Sequence, residues 1–351
     1  MWQKLAGLVS GSSVPEVNLA LQGGGAHGAY TWGVLDRLLE EGWRIEGVSG
    51  TSAGAMNAVA LAQGWMDGGA ECARQSLADF WQAVANSAPF HMNFLQRIDP
   101  NGDAAMPASM HMMQAFTKML SPYQFNPLDI NPLRDILQEQ FDFERLQQEC
   151  PLKLFIAATH VGTGKVKLFR NQEISEKALL ASACLPSVHQ AVEIEGEYYW
   201  DGGYTANPAI YPLIYNCKTQ DILLILLNSL EPEALPRSAK GIASRSMDLG
   251  FSSSFLREMR TICQARHYIG ASSARAWLPR GRLERLLERL RFHLVEADDL
   301  ADMNGISKLN ASDGFINHLH DLGRNRAERW LADKGPSVGR QASVQIERLF
   351  T

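Results

Sequence analysis

Three short clusters in this chain carry residue types that can do chemistry together. The first is Gly50-Thr51-Ser52-Ala53-Gly54, a Gly-x-Ser-x-Gly pentapeptide between a short apolar run and an Ala-rich stretch. That placement predicts a sharp strand-to-helix turn with Ser52 at its tip. Such a turn strains the serine backbone, exposes the hydroxyl as a nucleophile, and closes only with small residues on both sides. A helix opening at Ala53 aims its positive end at the place where an oxyanion would form. The second cluster, Gly23-Gly24-Gly25-Ala26-His27-Gly28, can turn several backbone N–H groups into one small cavity. The third, Asp201-Gly202-Gly203, follows the apolar Tyr199-Trp200. It is an ordinary Asp-Gly turn, or a carboxylate whose glycines let another backbone come close.

Each cluster also fits a rival chemistry. Gly23, Gly25 and Gly28 satisfy the G-x-G-x-x-G dinucleotide pattern, which requires an acidic residue ending the second strand about 20 residues on. Glu46 stands at that distance, but near the start of a strand that runs straight into Ser52. Alternatively, an elbow serine and a glycine loop belong to a Ser-His-Asp α/β-hydrolase, with one of the late histidines, His267, His293, His318 or His320, as base.

The clusters need elements to hold them. Val17 to Leu21 reads as a strand, Tyr30 to Glu41 as a helix stopped at Gly42, Ile45 to Ser49 as a strand, and Ala53 to Ala62 as a helix. This alternation predicts an α/β fold with a mainly parallel sheet. Between about residues 86 and 132, prolines and six of the twelve methionines interrupt the pattern, which suits a lid or an adaptable apolar surface, or a helix that uses Met as filler. Leu152 to Ala158 resumes as a strand, with a hairpin through Gly162-Thr163-Gly164 into Val166 to Phe169. Ile174 to Ala183 reads as a helix, Val192 to Ile194 and Tyr198 to Trp200 as a hairpin, and Asp221 to Leu227 as a buried strand. Beyond about Glu231 the chain is largely helical, with one strand at Phe292 to Glu296. In Arg280 to Arg291, leucines 283, 286, 287 and 290 form a stripe flanked by arginines, a helix that lies on an anionic membrane or packs on its own core.

In order and spacing, the three clusters resemble the patatin-like phospholipase family. Its pattern is a glycine loop after the first strand, then G-x-S-x-G, then D-G-G or D-G-A. Ala181-Ser182-Ala183-Cys184-Leu185-Pro186 is similar to that family's Ala-Ser-rich segment upstream of the aspartate. The resemblance spans Val17 to Asn228 and implies a three-layer α/β/α patatin-like fold. It implies Ser52 as nucleophile, Asp201 as base without a histidine, and an oxyanion hole built from Gly23, Gly24 and Gly25. Gly28, Gly50, Gly54, Gly202 and Gly203 would support them. One departure stands out. Many members carry Arg or Lys within the glycine loop, and here that place holds His27.

The implied activity is hydrolysis of carboxylic esters of lipids through an acyl-enzyme, of phospholipase A, lysophospholipase or esterase type, with no cofactor and no metal. A non-catalytic lipid-binding member of the same fold is the alternative of another class. On this reading residues 1–230 form the catalytic domain, and 231–351 a largely helical extension packed on it. The formal charge of −5 speaks against nucleic-acid binding, which needs a basic face. Five scattered cysteines suit reduced thiols rather than a disulfide framework or zinc site. No signal peptide and no run of about 18 apolar residues is evident, so the expectation is a cytoplasmic protein, peripheral at most to the inner membrane surface. The expected partner is a lipid or ester substrate, while oligomeric state leaves no trace in the sequence.

Overall fold

The computed structural model describes residues 15–87, 120–230, 235–271, 281–301, 303 and 307–351. Its helices are α1 (Gly28–Glu40), α2 (Ala53–Gly68), α3 (Ala70–Ser87), α4 (Pro122–Phe125), α5 (Pro132–Gln140), α6 (Phe143–Glu149), α7 (Glu176–Ser182), α8 (Tyr211–Asn216), α9 (Ala239–Ala271), α10 (Arg282–Arg289), α11 (Asp313–Asp333) and α12 (Ile346–Phe350). Eight strands form one sheet: β1 (Glu16–Leu21), β2 (Arg44–Thr51), β3 (Lys153–His160), β4 (Val166–Arg170), β5 (Val192–Ile194), β6 (Glu197–Asp201), β7 (Asp221–Ile225) and β8 (Arg291–Val295). The order is β5-β6-β3-β2-β1-β7-β8, with β4 also on β3. Strands β3, β2, β1, β7 and β8 run parallel, while β4, β5 and β6 are antiparallel to their neighbours.

The near-continuous apolar strands make sense in a sheet covered on both faces. Leu19, Leu21, Leu223 and Ile225 point into one core with α1, α2, α3 and α11. Their neighbours Ala20, Ile222 and Leu224 point into the other with α8, α9 and α12. The result is a mostly parallel sheet between helical layers, α/β/α. Residues beyond 230 join the sheet itself, because β8 pairs with β7 from Asp221↔Arg291 to Ile225↔Val295. Most of the Met- and Pro-rich stretch, 88–119, lies outside the described residues, as does the N-terminal segment 1–14. In α10 and at its C-cap most of the leucine stripe faces inward: Leu287 and the capping Leu290 are core residues and Leu286 packs against the same core, while Leu283 stays exposed. No described helix is long and apolar enough to cross a membrane.

Helix α1 leaves the glycine loop and is gripped by α11 through two glycines. A Cβ on Gly33 would sit 2.0 Å from the His320 carbonyl oxygen, and one on Gly323 2.1 Å from that of Tyr30. Beside the crossing, the Trp32 and His320 rings pack at a tilt of 35° with centroids 3.9 Å apart. Burial pushes the Asp36 carboxyl up, but hydrogen bonds from His320, Arg74 and Arg324 outweigh it and hold it below the usual carboxylate range. Gly33→Ala is expected to destabilise the fold by about 1–3 kcal/mol or more, because backbone rather than a flexible side chain must move. Gly250, in α9, has nothing within 4 Å of its Cβ position. Gly250→Ala should instead stabilise by about 0.5–1 kcal/mol, and urea melts of the two variants would check the opposite signs.

Candidate active site

The sheet register brings the three clusters together. Strands β1 and β2 end side by side, Leu21 opposite Gly50, and release the glycine loop and Ser52 at the same edge. Thr51 pairs with Ala157, and the next residue of β3, Ala158, pairs with Asp201. Ser52 and Asp201 therefore emerge next to each other at the carboxyl ends of the parallel strands, where open α/β sheets place their ligands.

Ser52 holds φ 53° and ψ −123°, the left-handed region that an L-residue enters only when its surroundings enforce it. The flanking glycines explain the enforcement. A Cβ on Gly50 would lie 2.5 Å from the Gly54 carbonyl oxygen, and one on Gly54 2.3 Å from that of Leu21. The Ser52 N–H donates to Ser182 Oγ at 2.9 Å, and Thr51 Oγ1 donates to the Ala206 carbonyl at 2.7 Å.

Asp201 is 1% exposed. Its N–H donates to the Cys184 carbonyl at 2.8 Å, and its Oδ1 accepts the Gly203 N–H at 2.7 Å. Burial raises its pKa to about 7, opposed by the hydrogen bonds from Gly203 and from the Ser52 side chain. Gly202 and Gly203 allow the turn behind it: Gly202 lies against the Ala157 carbonyl and Gly203 against the Phe251 ring of α9. The segment 182–184 thus holds the backbones of both Ser52 and Asp201.

In the glycine loop the Gly23 N–H donates to Asn207 Oδ1 at 2.7 Å. That leaves Gly24 and Gly25 as the loop's candidate oxyanion donors. Gly25 has φ +59° and opens a 3₁₀ turn, Gly25–His27. Gly28 begins α1 against Ala53 and Trp81, and its carbonyl accepts from Asn57 Nδ2 at 2.9 Å. His27 is 2% exposed, and its Nε2 shares a hydrogen bond with Ser307 Oγ at 2.7 Å. Burial, then the Lys308 charge, lowers its pKa to about 4, against the raising effect of Asp248. The imidazole is therefore neutral at physiological pH.

Glu46 and two of the four late histidines, His293 and His320, are engaged by partners other than Ser52. Glu46, near the start of β2, pairs with Lys153 and accepts from the N–H groups of Lys218 and Thr219, so it fastens the far end of the sheet. His293 bonds Asp221, the first residue of β7, and Ser343. His320 bonds Asp36. All five cysteines are free thiols.

The profile of the patatin-like phospholipase family matches residues 19–214. The chain belongs to this family. It is 28% identical over 196 residues to an uncharacterized NTE family protein of Mycobacterium tuberculosis, and equally to one of Mycobacterium bovis. Those matches take in 56% of this chain and 44% of the relatives, so the aligned part is less than half their length. Among solved structures it is similar to VipD from Legionella pneumophila, with TM-score 0.34 and 15% identity over 92% of this chain and 73% of that one. It is also similar to the complex of ExoU with SpcU from the type III secretion system of Pseudomonas aeruginosa, with TM-score 0.32 and 16% identity over 91% of this chain and 53% of that one.

Proposed function

We propose that this patatin-family chain is a serine acyl hydrolase of lipid carboxylic esters, with Ser52 as nucleophile and Asp201 as general base. One observation carries the reading. The strained Ser52 meets a fully buried carboxylate whose pKa of about 7 lets it both accept and return a proton near neutrality. In the first half-reaction Asp201 takes the Ser52 proton as Oγ bonds to the ester carbonyl carbon. The oxyanion is held by N–H groups of Gly24 and Gly25 and by the opening of α2. The C–O bond to the alcohol then breaks, the alcohol leaves with the proton from Asp201, and an acyl-enzyme remains. Water gives a proton to Asp201, adds to the acyl carbon, and expels Ser52, which recovers that proton.

A fluorophosphonate probe tests this directly. Its phosphorus is attacked by an activated serine, so labelling should map to Ser52 and vanish in Ser52→Ala along with hydrolysis of a p-nitrophenyl acyl ester. A wild-type protein that neither labels nor hydrolyses would point instead to a non-catalytic lipid-binding role. Ser182→Ala removes the acceptor of the Ser52 N–H, and should lower kcat by roughly 10-fold with KM little changed, read by steady-state kinetics.

A further inference from the structure

We propose that Ser307 and Lys308, far outside the family-matched 19–214, are positioning residues that clamp the glycine loop into its donor geometry. This rests on the acyl-hydrolase reading above. The loop's Gly23 end is pinned by Asn207, but Gly24 and Gly25 carry no side chain with which to hold their own place. A loop of glycines has many backbone states, so preorganised donors need walls supplied from outside.

The 3₁₀ turn Ser307–Leu309 is that wall for the Gly25 end. Ser307 Oγ meets His27 Nε2 at 2.7 Å and fixes the ring that follows the loop. His27 Nδ1 finds no partner among the described residues, so Ser307 provides the ring's one identified hydrogen bond there. The Lys308 carbonyl oxygen lies 2.3 Å from where a Gly25 Cβ would be, which sets it directly against the left-handed glycine.

The clamp is itself anchored. Lys308 Nζ donates to Asp248 Oδ1 of α9 at 2.8 Å and to Asn228 Oδ1, just beyond β7, at 3.1 Å. One lysine thus ties α9, the end of β7 and the glycine loop together. It also brings a cation close to a loop whose own His27 is neutral. The region after residue 230 becomes part of the catalytic apparatus.

The test uses the full chain, a p-nitrophenyl acyl ester and fluorophosphonate labelling of Ser52. Ser307→Ala and Lys308→Met should each lower kcat by about 10- to 100-fold, with KM changed by less than about threefold. Ser307→Thr and Lys308→Arg, which keep the hydroxyl and the charge, should restore most of the rate, and labelling should slow in parallel. Wild-type kcat in both Ser307→Ala and Lys308→Met overturns the clamp. So does a loss that merely tracks the unfolded fraction in thermal melts and is not rescued by Thr or Arg. If Ser307→Ala fails to fold, Lys308→Met alone decides by the same criteria. Failure of the underlying hydrolase reading looks different: the wild type is inactive, or Ser52→Ala keeps its activity.

Discussion

Asp201→Asn is expected to lower kcat by about 10⁴-fold or more, on the scale of losing one member of a serine hydrolase's catalytic unit, and yet to yield a more stable protein above neutral pH. Both effects follow from one buried carboxyl. Its folded pKa of about 7 lies above its ordinary value of 3.8, chiefly because burial disfavours the charge. The sign is that of a raised pKa. Stability is whole below about pH 4, where Asp201 is protonated folded or unfolded, and is lost as pH climbs through about 7. The loss at pH 8 is on the order of a few kcal/mol. Asparagine stays neutral and can still accept the Gly203 N–H. Melting temperatures of wild type and Asp201→Asn should therefore coincide near pH 4 and part progressively toward pH 8. Wild-type kcat/KM should rise over that same window to a plateau, because the base works ionised. Substituting the late histidines one at a time should leave activity per folded molecule unchanged. Full activity in Asp201→Asn, or its loss in His267→Ala or His318→Ala, would sink the dyad.

The residues proposed as the dyad are legible because each sits where a regular element ends. Val17 to Leu21, Ile45 to Ser49 and Leu152 to Ala158 read as strands since burial on both faces makes them largely apolar, with Asn18, Glu46, Ser49 and Lys153 as the polar exceptions, and each falls on a strand of the sheet. Gly50 and Gly54 mark the elbow because backbone atoms occupy the space of their missing side chains. What stayed hidden was long-range pairing. Asn207 contacts Gly23 across 184 positions, and Ser307 contacts His27 across 280. Neither belongs to a periodic pattern or motif, so single-residue hydrogen bonds of this kind leave no local signal. Ser182 was intermediate: its Ala-Ser-rich segment was visible by resemblance, but its bond to the Ser52 N–H required the register of three strands. Likewise Phe292 to Glu296 read as a strand, while its place beside β7 emerged only from the sheet order.

Gly25→Ala is the second large effect, and Gly42→Ala is its control. Both glycines have positive φ, +59° and +78°, so an alanine at either site incurs a similar left-handed strain of about 1–2 kcal/mol. Their surroundings differ completely. Nothing lies within 4 Å of a Gly42 Cβ, whereas a Gly25 Cβ would meet the Lys308 carbonyl oxygen at 2.3 Å. That contact is backbone against backbone, so no side chain can swing aside. Either the Ser307–Leu309 turn lifts from the loop or the loop recoils toward Ser52, and in both cases the Gly25 N–H leaves its position. Loss of one oxyanion donor lowers kcat by about 10²–10³-fold in serine hydrolases, which is the effect expected for Gly25→Ala with little change in KM. Gly42→Ala should lose only the strain energy, about 1–2 kcal/mol and less than Gly25→Ala with its added clash, while keeping kcat within about twofold, since it touches no catalytic group. The comparison separates strain from positioning. Equal kcat in the two variants would remove Gly25 from the oxyanion hole and shift the donor role to Gly24 and the N–H of Ala53 at the opening of α2.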